Sequence, residues 1–231
     1  MSMRTAFFSA RCVVCLFVVS VAWAHFPTLS DGTANSASNA LIITDPDLSQ
    51  VIYHEVTAGA PQLWLQFDLS AGQSLYVELG IPLLDRLADY RPALALIGHG
   101  LPPADLPFAI PDGLGAQVFA SEQTGQPEEF YERFSGTSSW VLVSETLTVP
   151  ASGTYYLVAY EPAGQPGKLW AALGTREDFG PDDLPYLVEI LPRIREFHEV
   201  PNANALPCFL APGALMLTVA FFLRQRRARV L

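Results

Sequence analysis

The chain has 231 residues, half of them hydrophobic, with 23 acidic against 13 basic side chains. That length fits one domain of ordinary size plus targeting segments and leaves no comfortable room for two. Every Asp and Glu lies between residues 25 and 204, with only Arg86, Arg91, Arg133, Lys168, Arg176, Arg193 and Arg195 to offset them, so nucleic acid is not an expected partner.

Residues 1–24 have the three parts of a secretory signal. Arg4 and Arg11 supply a basic start, Cys12 to Val21 an apolar core, and Ala22-Trp23-Ala24 the small residues of a cleavage site. Cleavage after Ala24 makes His25 the mature N-terminus. Residues 25–40, rich in Ser, Thr, Gly, Asn and Ala, read as a flexible lead-in.

From 41 to 180 short alternating runs are separated by turn residues. Gln50–Val56 ends at Gly59 and Pro61, Gln62–Leu69 at Ala71-Gly72-Gln73, and Ser74–Leu79 at Gly80-Ile81-Pro82. In the last of these, Leu75, Val77 and Leu79 face one way and Ser74, Tyr76 and Glu78 the other, the period of a half-buried strand. Ala93–Ile97, Ala116–Phe119, Trp140–Val143, Leu147–Val149, Thr154–Tyr160 and Lys168–Leu173 continue the series. About eight such strands predict a mainly β fold, an antiparallel β-sandwich of jelly-roll type. The Pro-, Gly- and acid-rich stretch from Pro102 to Phe134 is expected to run over one end of it.

An amphipathic helix is predicted over 181–199. Asp182 and Asp183 suit its N-terminus, and Leu184, Leu187, Val188, Leu191, Ile194 and Phe197 recur at helical spacing, with a break or kink at Pro192. A polar linker over 200–204 leads to an apolar run over 205–223. Its 19 residues reach roughly 28 Å as a helix, close to the hydrocarbon thickness of a bilayer. The basic tail over 224–231 carries four arginines, which places it in the cytoplasm and the preceding domain outside, periplasmic or extracellular. Cys12 and Cys15 fall in the signal and Cys208 in the span, so the domain has no disulfide to stabilise it.

The order of strand, Gly turn, aromatic strand and Ala71-Gly72-Gln73 turn, followed later by Pro150 to Leu157, resembles bacterial pre-peptidase C-terminal-type β-sandwich domains. The resemblance covers Ser49 to Phe179. Residues Gly167 to Phe179 also look like exported prokaryotic proteins with a C-terminal membrane helix. The resemblance implies a fold and a non-enzymatic, accessory role in binding, adhesion or assembly, and it carries over no catalytic residue.

Four chemistries deserve a test. A mature N-terminal His25 would offer its α-amine and imidazole to copper, with His54, His99 or His198 as a second ligand. Asp45, Asp47, Asp112, Glu128, Glu129, Asp182 and Asp183 are oxygen donors for calcium, though in no regular loop spacing. No Gly-x-Ser-x-Gly elbow is present, and Ser135 to Ser139 reads as a polar turn. Trp64, Tyr76, Trp140, Tyr155, Tyr156, Tyr160 and Trp170 could form a stacking face for a cell-surface glycan, but Tyr155 and Tyr156 must point to opposite sides of their strand.

Overall fold

Where the sequence alternates, the computed structural model has strands. It describes residues 25–121, 127–178 and 180–201, so the signal, most of the linker, the apolar span and the basic tail lie outside the described residues. Among the described residues, eleven strands form two sheets. The first sheet holds β1 (Phe26–Leu29), β3 (Gln50–Val56), β11 (Gly167–Leu173), β5 (Ser74–Pro82), β9 (Thr137–Thr148) and β8 (Glu128–Glu132), in that spatial order. The second holds β2 (Leu41–Ile42), β4 (Gln62–Leu69), β10 (Gly153–Tyr160), β6 (Ala93–Gly98) and β7 (Gly115–Ala120).

The inward residues of each alternating strand meet in one core. Ile52, Leu65, Leu75, Val77, Leu79, Leu94, Leu157 and Leu169 are all buried there, each such side chain contributing about 1.5–3 kcal/mol on leaving water. Tyr155 is the inward member of its pair; its hydroxyl lies 2.9 Å from the carbonyl of His99 and 2.8 Å from that of Ala151. A sandwich needs no cover on its outer faces, yet here the second sheet is covered and the first partly so. The 102–114 stretch lays Leu106, Phe108 and Ile110 over Trp64, Ala95, Val158 and Tyr160 on the second sheet. Helix α1 (Leu184–Phe197) lays Ile190, Ile194 and Phe197 over Val51, Tyr53, Trp170 and Ala172 on the first.

Three expectations need correction. Residues 25–40 are not a loose lead-in, because Phe26–Leu29 pairs with β3 and Trp64 N donates to the Ala34 carbonyl. The sheets are mixed rather than purely antiparallel: β1 runs parallel to β3 and β2 parallel to β4, each an N-terminal strand added at a sheet edge. The charged stretch Glu128–Glu132 is a strand, β8, paired antiparallel with β9.

The α-helix begins at Leu184, preceded by a 3-10 turn over Pro181–Asp183. The Asp183 carboxylate accepts from the Gly180 N–H at 2.7 Å, so it closes the entry turn instead of capping a helical N–H. Pro192 sits inside the helix on its exposed side, where water can serve the Val188 carbonyl that it leaves unpaired. Among the described residues no helix is long and apolar enough to cross a membrane.

Candidate functional site

The outer face of the first sheet is only partly covered by α1, and the uncovered part is hollow. Alternation places Val51 and Tyr53 of β3, Trp170 of β11, Tyr76 and Glu78 of β5, Thr137 and Ser139 of β9, and Phe130 and Glu132 of β8 on this one face. They line a cavity of about 270 Å³, closed by His25 on one side and by Ile194 and His198 of α1 on the other. Its walls are mostly aromatic and aliphatic. No Lys or Arg lines it. Phe130 remains 39% exposed and stands at its rim.

The acidic groups of the cavity gather around His25. The imidazole Nδ1 shares a hydrogen bond of 2.7 Å with Ser49 Oγ, and Nε2 stands 3.5 Å from the Glu78 carboxylate. Glu132 accepts from the Phe134 N–H at 2.8 Å. Burial pushes its carboxyl above the usual range, while that backbone hydrogen bond and the nearby His25 draw it partly back. Burial also raises the Tyr53 phenol, with the Glu132 charge adding to the shift.

At the α1 end a serine and a histidine meet. His198 Nε2 lies 3.2 Å from Ser139 Oγ, and Nδ1 lies 2.9 Å from the Ile194 carbonyl. Only one proton arrangement satisfies all the partners. Nδ1–H donates to the helix carbonyl, Ser139 O–H donates to Nε2, and Trp170 Nε1–H donates to Ser139 Oγ at 3.1 Å. Burial pushes His198 down to about 4, too weakly basic to take a proton from a hydroxyl near neutrality. Its Nδ1 meets a carbonyl of its own helix where a nucleophilic triad needs an orienting carboxylate. The pair is built as a structural brace.

The predicted site residues are scattered differently. His25 enters the cavity, with His198 lining its far end. His54 lies elsewhere, its ring nitrogens 3.2 Å from Ser30 Oγ and 3.1 Å from the Ala60 carbonyl, and His99 is in the exposed turn after β6. Neither joins His25. Asp45 pairs with Arg176. Asp47 accepts from Gln73. Among the described residues no group of three or more His, Cys, Asp or Glu is placed to hold a metal ion.

The proposed stacking rings do not form a face. Trp64, Tyr155, Tyr160 and Trp170 are buried, and Tyr156 packs edge-on against Trp64 at 5.7 Å. Sequence reading missed Glu78 and Glu132. The first looked like any solvent-side strand residue. The second lay in a stretch whose charge hid its pairing. The signal that could have found Glu132 is its spacing from Phe130, two residues apart and hence on one face of a strand.

Neither a protein-family model nor a curated protein sequence matches the chain. Solved structures give distant likenesses. The pre-peptidase C-terminal domain of collagenase from Bacillus anthracis is 12% identical over 58% of this chain and 93% of that one, with a TM-score of 0.30. PliG of Aeromonas hydrophila, a periplasmic inhibitor of g-type lysozyme, is 15% identical over 66% of this chain and 100% of that one, at 0.32. CorA, a surface-associated copper-binding protein of Methylomicrobium album BG8, is 11% identical over 66% and 99%, at 0.28. None is close enough to bear on what this chain does.

Proposed function

We propose that this chain is a non-catalytic binding protein of the cell exterior, tethered to the membrane by residues 205–223, and that its ligand site is the cavity between the first sheet and α1. The observation that carries this reading is a pocket of about 270 Å³ with aromatic walls and a few convergent polar groups, the usual character of a small-molecule site. At the Ser139–His198 pair the geometry supports binding over catalysis, since both side chains are locked into structural hydrogen bonds.

Trp170 lines the cavity and reports its occupancy. Titrating the full-length protein with a library of small aromatic compounds should change its fluorescence, and Phe130→Ala should weaken the response several-fold without lowering the melting temperature. A library that leaves both the fluorescence and the melting temperature unmoved would overturn the reading.

Copper at His25 is the second reading. It keeps one observation in its favour: the imidazole and the Glu78 carboxylate face each other across 3.5 Å in the same cavity. A chelate through the freed α-amine would need Nδ1, which Ser49 now holds. Copper(II) titration of a protein beginning at His25 should show tight binding that one extra N-terminal residue destroys, and equal binding by both forms rules this reading out.

A further inference from the structure

Resting on the cavity as the binding site, we propose that its ligand is an organic cation, a primary amine on an aromatic or aliphatic body of about ten non-hydrogen atoms. The size follows from the volume. A cavity of about 270 Å³ suits a small molecule of that order rather than a polymer.

The charge follows from an imbalance inside the cavity. Glu78 and Glu132 both line it, and the one basic side chain among the lining residues that contacts either is His25. A single imidazole cannot balance two carboxylates, and His25 is further tied to Ser49. Both carboxylates are partly buried. Oε1 of Glu132 accepts from the Phe134 N–H. Two partly buried carboxylates facing one imidazole are costly to the fold, and an ammonium group delivered by the ligand would relieve that cost.

The walls agree with the charge. Phe130 and Phe134 flank Glu132 along the chain, and Tyr53, Tyr76 and Trp170 complete the lining. Aromatic faces attract a cation that has been stripped of water, and they also bury the apolar body of the ligand. An anion would meet two carboxylates and no Lys or Arg. A neutral alcohol would fit the walls and leave the charge unbalanced.

Three probes that share one body separate these cases: phenethylamine, 2-phenylethanol and 3-phenylpropionate. Each is titrated calorimetrically into the full-length protein in detergent at neutral pH. The amine should bind about ten- to a hundredfold more tightly than the alcohol, the increment of a charge-assisted hydrogen bond, and the carboxylate should bind most weakly. Glu132→Gln should bring the amine down to the level of the alcohol and leave the alcohol unchanged, with an unchanged circular dichroism spectrum to show that the variant folds. If the alcohol matches the amine in the natural protein, the cation is wrong and the cavity stands. If none of the three binds, the cavity reading fails with it.

Discussion

The indole of Trp170 lies directly over Gly80, its partner across the β11–β5 ladder: a Cβ on Gly80 would stand 2.1 Å from Cζ2 of the ring and 2.4 Å from Cε2. The missing side chain is what lets the ring lie down on the sheet, form one wall of the cavity and reach Ser139 with its N–H. Gly80→Ala would lift the ring or shift β5, an overpacking that costs about 1–3 kcal/mol. Urea denaturation should show that loss, and an unchanged midpoint would mean that the ring has room to move.

Ser139 serves two neighbours at once. Ser139→Ala strands the Trp170 N–H and the Nε2 of His198 in a buried place, and about 1–3 kcal/mol of stability should go with them. The loss should accompany a shift in tryptophan emission, because Trp170 is one of the partners left alone.

His198 makes stability depend on pH with a definite sign. Its folded value, pushed down to about 4 by burial, lies below the ordinary 6.5, so the unfolded chain takes up a proton first as the pH falls. The contribution is fully present above 6.5 and is lost progressively towards 4, on the order of 3 kcal/mol in all. The difference between the natural protein and His198→Gln, followed by chemical denaturation across that window, should carry this slope. Parallel profiles would place His198 in contact with water.

Glu132 has the opposite sign. A carboxyl raised above its unfolded value holds its proton more readily in the folded state, so its ionisation costs stability as pH rises through the folded value. Glu132→Gln keeps an oxygen for the Phe134 N–H and removes the charge. It should raise the melting temperature at neutral pH and have little effect below the ordinary carboxylate value of 4.5. A residue that weakens the fold and lines a cavity fits the common exchange of stability for function.

Arg195 is buried on the inner side of α1, where Nη1 donates to the Ser135 carbonyl and Nη2 to the Pro201 carbonyl, each at 2.6 Å. Arg195→Lys should not substitute, since an ammonium cannot bridge two carbonyls with a fixed fork. A loss of about 2 kcal/mol or more, with α1 amides exchanging faster, is the expected result. Full stability in the Lys variant would mean that one of the two contacts is enough.

Most of the sandwich was legible because its strands are half-buried and therefore alternate. The runs at Gln50, Gln62, Ser74, Ala93, Thr154 and Lys168 lie within a residue or so of where β3, β4, β5, β6, β10 and β11 begin. What escaped was structure made by neighbours. Phe26–Leu29 has four residues and no clear alternation, and it is held by remote neighbours, among them the edge of β3 and the ring of Tyr186 stacked on Phe26. Glu128–Glu132 has three carboxylates in five residues and reads as surface. Trp140–Val143 and Leu147–Val149 read as two runs, yet β9 is continuous, since the backbone of the polar residues between them stays paired with β5, Ser144 opposite Glu78 and Glu145 opposite Val77. The candidate site was correspondingly dim. Of its charged residues only His25 stood out beforehand, and for a different chemistry.

β1 is among the first parts of the domain to be synthesised and α1 is the last, yet they complete the same corner. Tyr186 stacks on Phe26 with ring centres 5.2 Å apart, and its hydroxyl donates to the Pro27 carbonyl at 2.9 Å. The opening strand therefore has to wait for β3, β11 and finally the helix before its outer side is sealed. Contacts this remote along the chain are slow to form. During that wait the hollow face of the first sheet stands open, so folding of the domain and closure of its cavity are one late event, and a chain truncated before α1 would leave Val51, Tyr53 and Trp170 exposed to other chains.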